Sequence, residues 1–481
     1  MRLTLVFSSI GRLLIIIGGC MLFPLLWSLY YQESHVLAII CAMLITLLAG
    51  SIMTFLFKSK ETIRQREGFA IVTLGWIFAS AFGSLPYLFS GTFTSFTDAF
   101  FETMSGFTTT GASIITDFET LSYGIMFWRC MTHWLGGMGI ILLFVALLSQ
   151  MGGGGLQMFK AEAPGGNLAE KIKPRIQESA KILWITYVLL SGILTVLLLC
   201  GGMNFFDALC HAFGTMATGG FSTKNLNIGY YESPYIQWVL IIFMFIAGTN
   251  LALYYQAIMK RNNSFWQNEE FRLYLLIALS SVALIFFNLI LSKPWGVEVT
   301  ARTAAFQAIS MLTTTGFATA DYNQWPVFSQ ILLILLMFVG GCSGSTGGSI
   351  KVGRLLILMK HTAVEIFRLI HPRSVKFIKI DNKTVPESIV INVLQFFFLY
   401  IMVFFMGTAM MGALGLSIIE AMTSVIASLC NVGFGLGDVG PTGSFAFIPP
   451  AGKWVLSFLM LLGRLEIYTV LVLFLPDVWK K

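Results

Sequence analysis

Residues Thr303 to Thr319 read TAAFQAISMLTTTGFAT, and this stretch decides the fold. A hydroxyl residue able to cap a helix opens it, helix-compatible residues follow, and three threonines, a glycine and a phenylalanine come near its end. The pattern recurs three more times. A polar residue stands thirteen positions before a glycine in the pairs Asp98–Gly111, Asp207–Gly220, Thr303–Gly316 and Glu420–Gly433. Alanine follows each polar residue. Six positions before the glycines come Ser105, Gly214, Ser310 and Ala427; two before them come Thr109, Thr218, Thr314 and Asn431. Agreement at so many offsets defines a fourfold internal repeat.

The rest of the chain says where such a repeat resides. Of 481 residues, 56% are hydrophobic and only 11% are charged, against about 25% charged in soluble domains; mean hydropathy is +0.80. Apolar runs such as Leu13–Tyr30, Val36–Leu56, Gly124–Leu148, Ile182–Gly202 and Ser388–Leu414 are long enough to cross about 30 Å of hydrocarbon. The chain reads as an all-α polytopic membrane protein. Its net charge of +7 does not point to nucleic acid, because most of the 30 basic residues fall in alternate loops. Those loops hold Arg2 and Arg12, Lys58–Arg66, Lys160–Lys181, Lys260–Arg272, Lys351–Lys383 and the terminal Lys480 and Lys481. The positive-inside rule makes these loops and both termini cytoplasmic. The seven cysteines lie in apolar or small-residue stretches without a CxxC pair, so buried free thiols are expected. The first helix is too long for a signal peptide and reads as retained.

Residues 1–65 form a two-helix N-terminal unit, its helices joined by the polar turn Tyr31–His35. Four repeats follow at 66–152, 176–260, 270–360 and 386–479, each a crossing, a half-helix, the glycine motif and a second crossing. The half-helices are too short to span and read as re-entrant from the side opposite the basic loops. Irregular backbone at membrane depth must be buried in protein or line a watery cavity, and four such segments meet that condition by converging on one axis. Half-helix C-termini aimed inward present negative dipole ends, which favour a cation. Asp98, Asp207 and Glu420 suit the positive ends, and carbonyl oxygens around the glycine turns can replace an ion's water shell. The geometry asks for a cation pore.

At these residues the chain resembles the TrkH/TrkG/KtrB/HKT superfamily of K⁺ transporters. TTTGA (108–112), ATGGFST (217–223), TTTGFAT (313–319) and NVGFGLG (431–437) resemble its four filter loops, and the extra N-terminal helices resemble its TrkH/TrkG branch. The resemblance implies four M1–P–M2 pore repeats in pseudo-fourfold arrangement, in a homodimer. It implies K⁺ as the transported ion, with a filter made of Thr109, Thr110 and Gly111; Thr218, Gly219 and Gly220; Thr314, Thr315 and Gly316; and Asn431, Val432 and Gly433. In this superfamily glycine in the first loop goes with K⁺ selectivity and serine with Na⁺ preference, and position 111 is glycine. A Na⁺-permeable or Na⁺-coupled transporter of the same superfamily is the alternative. The resemblance further implies a cytoplasmic regulatory partner of the TrkA type with nucleotide-binding domains, and the basic loops 160–181 and 351–383 are candidate docking surfaces for it. It places the chain in the bacterial inner membrane, surrounded by lipid, with no organic cofactor.

The small-residue run FVGGCSGSTGGS (338–349) interrupts a hydrophobic crossing at 326–360. It is either a closely packed small-residue patch or, as the resemblance implies, a broken helix whose loop gates the pore. The gate would comprise Gly340, Gly341, Cys342, Ser343, Gly344, Ser345, Thr346, Gly347, Gly348 and Ser349, with Arg464. A charge at the membrane depth of Arg464 is costly and faces a cavity or a partner such as Glu466. Arg129, nearer a helix end, is expected to snorkel. Glu102, His211, Gln307 and Ser424 share one position, nine before each glycine, and are expected to brace the filter from behind. Gly152–Gly155 lacks the GK[ST] of a phosphate loop, the histidines lack metal-ligand spacing, and no catalytic constellation stands out: the chain reads as a transporter and not as an enzyme.

Overall fold

Proline sets the first feature of the fold. The computed structural model describes residues 1–57, 63–139, 176–254 and 264–479, and opens with α1 (Leu3–Cys20), α2 (Leu22–Tyr30) and α3 (Val36–Leu56). Pro24 has no N–H and its ring clashes with the carbonyl four residues back, so α1 stops at Cys20. Pro86 acts in the same way on the next crossing, dividing it into α4 (Gln65–Gly83) and α5 (Leu85–Phe89). Helices α1 and α3 approach at Gly11 and Gly50, where a Cβ on either residue would meet the other's carbonyl oxygen at 2.7 and 2.6 Å. Only small residues allow two membrane helices this near.

The four repeats follow in order. The first is α4–α5, α6 (Phe96–Phe107) and α7 (Tyr123–Gly137). The second is α8 (Ile176–Cys200), α9 (Phe205–Met216) and α10 (Pro234–Ala247). The third is α11 (Glu269–Ser292), α12 (Val297–Leu312), α13 (Val327–Phe338) and α14 (Val352–Ile370). The fourth is α15 (Glu387–Ala413), α16 (Ile418–Leu429) and α17 (Pro450–Arg464). The repeat ends expected at 152 and 260, the glycine run 152–155 and the basic loop 160–175 lie outside the described residues.

First and second crossings differ in length. The first crossings hold 24 to 27 residues. The second helices hold 12 to 15, and at about 1.5 Å per residue they stop short of 30 Å of hydrocarbon. The half-helices α6, α9, α12 and α16 are shorter than the first crossings and buried along most of their length. Neighbouring repeats are stitched together by the segments that follow the glycine turns: Asn225 accepts from Phe118 N at 2.7 Å, Gly229 N donates to Ala318 O at 3.2 Å, Tyr322 OH to Gly435 O at 3.0 Å, and Phe445 N to Ser113 O at 2.9 Å. The last of these joins repeat four to repeat one and closes the ring.

Three expectations need correction. Thr303 does not cap its helix: α12 begins a turn and a half earlier, after Gly296, and Thr303 is a buried interior residue. The caps in the other repeats are Ser95, Asn204 and Ser417, with Asp98, Asp207 and Glu420 three residues on; Ser417 and Glu420 satisfy each other's backbone N–H in a capping box. The last crossing is not one helix, because the chain turns by 111° between Pro450–Arg464 and Tyr468–Phe474. Glu466 and Ile467 make that turn in the left-handed region, at φ 54° and 60°, a conformation a β-branched residue rarely adopts. All seven cysteines are unpaired, but Cys41 and Cys200 are exposed and Cys20 is half-buried on outward-facing helix surfaces.

Candidate functional site

Each half-helix ends in the same backbone device. The residue two before each glycine turns into the left-handed region, at Thr109 (φ 54°), Thr218 (53°), Thr314 (59°) and Asn431 (53°). The glycine does so again, at Gly111 (85°), Gly220 (79°), Gly316 (78°) and Gly433 (93°). Between them, the N–H of Thr110, Gly219, Thr315 and Val432 bonds back at 2.9 Å to the carbonyl of Ser105, Gly214, Ser310 and Ala427. Fourfold sequence agreement has become fourfold agreement in dihedral angles and hydrogen bonds.

The glycines have no room for a side chain. A Cβ on Gly111 would come closer than 3.0 Å to Gly219 O, on Gly220 to Thr315 O, on Gly316 to Val432 O, and on Gly433 to Thr110 O. Each glycine therefore abuts the carbonyl that precedes the next repeat's glycine, in the order one, two, three, four, one. Four carbonyl oxygens from four repeats form a closed ring with half-helix C-termini behind it, so partial negative charge concentrates there.

The ring has twofold character in its side chains. In repeats one and three paired hydroxyls flank the turn, Thr108 with Thr110 at 2.8 Å and Thr313 with Thr315 at 2.7 Å. Repeats two and four carry Ala217 with Gly219 and Cys430 with Val432 at these positions. Asn431 replaces the threonine of the other loops, and its Nδ2 donates to Thr110 Oγ1 at 2.9 Å and Met460 O at 3.0 Å. It thereby ties the fourth loop to the first.

Behind the ring lies the expected polar layer. Glu102 accepts from Ser113 Oγ (2.8 Å) and Ile114 N (3.0 Å); His211 bonds Ser222 Oγ at 2.9 Å; Gln307 accepts from Thr319 N at 3.3 Å. Ser424 turns back to Ala421 O, and its neighbour Thr423 holds Leu436 O at 3.2 Å. Arg129 does not snorkel. It is 1% exposed, pairs with the fully buried Glu102 at 2.7 Å, donates to Ser222 O at 3.1 Å and lies 3.5 Å from the Phe221 ring centroid. One buried ion pair thus holds the loops of repeats one and two.

At the C-terminal ends of the half-helices, the run 339–351 breaks the third repeat's second helix between α13 and α14. Its two ends meet in a parallel bridge, Val339 with Ile350. The loop touches three repeats directly: Thr346 Oγ1 donates to Met216 O (3.1 Å), Gly348 N to Thr314 Oγ1 (2.7 Å), and a Cβ on Gly348 would meet Cys430 O at 2.6 Å. It reaches the first repeat through Arg464. That guanidinium donates to Thr109 Oγ1 (3.1 Å), Thr346 O (2.8 Å), Gly136 O (2.6 Å) and Gly137 O (3.0 Å). Glu466 is not its partner, since it pairs with Arg354. Loop and arginine lie together against the inner ends of all four half-helices. The sequence reading missed the oxygens of Gly136 and Gly137, and the buried Lys351, which donates to Gly347 O.

This fold and site define a multi-pass membrane transport protein with a fourfold turn at its centre. The model of the TrkH family, described as cation transport protein, matches residues 35–481, and the chain belongs to that family. It is 40% identical to the Trk system potassium uptake protein TrkH of Escherichia coli over 480 residues, which is 98% of each chain. Identity to the Trk system potassium uptake protein TrkG of Escherichia coli is 34%, covering 96% of this chain and 95% of that one. The crystal structure of the potassium transporter TrkH from Vibrio parahaemolyticus matches with a TM-score of 0.91 and 35% identity over the whole of both chains.

Proposed function

We propose that the chain takes up K⁺ across the bacterial inner membrane, with both termini in the cytoplasm. The ion passes, stripped of water, through the ring formed by Thr109–Gly111, Thr218–Gly220, Thr314–Gly316 and Asn431–Gly433. The observation that carries this reading is the ring itself: four glycines in the left-handed region, each against a carbonyl of the next repeat. Carbonyl dipoles held in place by backbone bonds supply what a dehydrated cation loses. The same reading makes Gly340–Ser349 and Arg464 the gate; its support is their contact with the ends of all four half-helices, at Thr109, Met216, Thr314 and Cys430. It also takes the working unit to be a homodimer with a cytoplasmic TrkA-type regulatory subunit that binds nucleotide, in keeping with relatives named as parts of a Trk system.

The test is ⁸⁶Rb⁺ uptake into liposomes holding the purified protein, with K⁺, Na⁺ or Li⁺ in competition. Block by K⁺ alone supports the reading, while Na⁺ competing as strongly as K⁺ favours the Na⁺-permeable alternative. The gate has its own test. Deleting Gly344–Gly347 removes Thr346, its bonds to Met216 and Ala247 and the oxygen that binds Arg464, so flux without the regulatory partner is expected to rise. A folded deletion protein with equal or lower flux would remove the loop from that role.

A further inference from the structure

The small-residue loop is held from the cytoplasmic side by one carboxylate that the transport reading leaves unused. Glu270, half-buried in the first turn of α11, accepts with a single oxygen from Ser343 N at 2.6 Å and from Gly353 N at 2.8 Å. These donors sit on opposite legs of the break, one inside the loop and one in the first turn of α14. Charge-assisted bonds of this kind are about twice as strong as neutral ones, and two of them here converge on one atom. Beyond the loop the same helix end is tied to a second element. Lys379–Ile380 and Lys383–Thr384 pair as a two-residue hairpin whose turn residues, Asp381 and Asn382, have φ 49° and 61°, the signature of a type I′ turn. Asp381 accepts from Glu269 N at 2.8 Å and Asn268 Nδ2 at 3.2 Å, and Glu269 pairs with Lys360 of α14. Three consecutive residues, 268 to 270, thus join the exposed hairpin to both legs of the loop.

We propose that Glu270 is the positioning residue that anchors the gating loop in its closed place, and that the cytoplasmic hairpin 379–384 is the lever through which that anchor is loosened. The proposal rests on the loop being the gate. Glu270 touches no part of the filter ring, so its effect falls on rate and not on selectivity. The hairpin projects Lys379, Asn382 and Lys383 outward, where an acidic surface on a cytoplasmic partner can pull on it, and Asp381 passes the displacement to the start of α11.

The experiment measures partner-free ⁸⁶Rb⁺ flux in liposomes for the full-length protein and a set of variants. Glu270→Ala is expected to raise the rate about tenfold, the shift that losing one state's charge-assisted bonds produces in a two-state equilibrium, while competition by K⁺ over Na⁺ stays unchanged. Glu270→Gln keeps an oxygen for both N–H groups and is expected to remain within about twofold of the parent. Gly353→Ala tests the anchor without altering Glu270, because the added methyl would lie 2.9 Å from its oxygen, and is expected to raise the rate as well; it carries the test if Glu270→Ala does not fold. Asp381→Ala is expected to give a smaller rise. A monodisperse Glu270→Ala protein with unchanged or lower flux overturns the anchor, and does so without touching the gate reading if the Gly344–Gly347 deletion still raises flux. A rise in Glu270→Ala with none in Asp381→Ala overturns the lever.

Discussion

In liposomes, the Gly316→Ser protein takes up ⁸⁶Rb⁺ with Na⁺ competing far better than it does against the parent, a loss of discrimination of about tenfold or more, equivalent to ~1.4 kcal/mol. The reason lies in two facts about one residue. Gly316 sits at φ 78°, and a Cβ there would press into Val432 O. A side chain in the left-handed region costs roughly 1–2 kcal/mol, and that carbonyl belongs to the ring, so it moves. Thr314, two residues earlier, also sits in the left-handed region, at φ 59°, and its hydroxyl accepts from Gly348 N. At position 316 an added side chain meets a ring carbonyl directly. An ion that depends on four matched oxygens is the first to notice one displaced. Unchanged preference in a protein that expresses normally would count against the assignment of these turns as the filter.

Much of this was legible in the sequence, and the gaps have physical causes. Four glycines at one offset carry a backbone conformation that only glycine adopts freely, so the ring could be read from residue identity alone. The break after Phe338 was visible for a similar reason, since ten small residues cannot sustain an apolar crossing. The beginning of α12 was misjudged because Thr303 looks like a cap while Gly296, the actual cap, makes no side-chain bond. Arg129 was misread because depth along a helix does not say which face meets a neighbour; its partner Glu102 lies 27 positions away on another element. Arg464 was singled out as a costly charge, but its acceptors are the Thr109 hydroxyl and backbone oxygens of two other segments, Gly136–Gly137 and Thr346, and such contacts leave no mark in sequence. Glu270 belongs to no motif in the sequence. Its two donors are backbone N–H groups some 70 to 80 residues further on, and only the fold brings them to it.

Removing Arg129 is expected to have the largest effect on the folded protein. With Arg129→Leu, Glu102 remains fully buried without its cation, and such a break costs about 3–5 kcal/mol. The melting temperature in detergent should fall by many degrees and the yield of monodisperse protein with it. The double variant Glu102→Leu, Arg129→Leu separates stability from shape. It buries no charge, and apolar replacement of a buried pair is often neutral, so much of the thermal stability should return. Transport should not return with it, because Ser113 Oγ, Ile114 N and Ser222 O lose the groups that fix the loops of repeats one and two. Selectivity in ⁸⁶Rb⁺ competition is therefore expected to remain impaired in a protein that melts near the parent. If the double variant regains both stability and K⁺ preference, the pair only fills space. If the single variant melts like the parent, the ion pair is not what holds the loops of repeats one and two together.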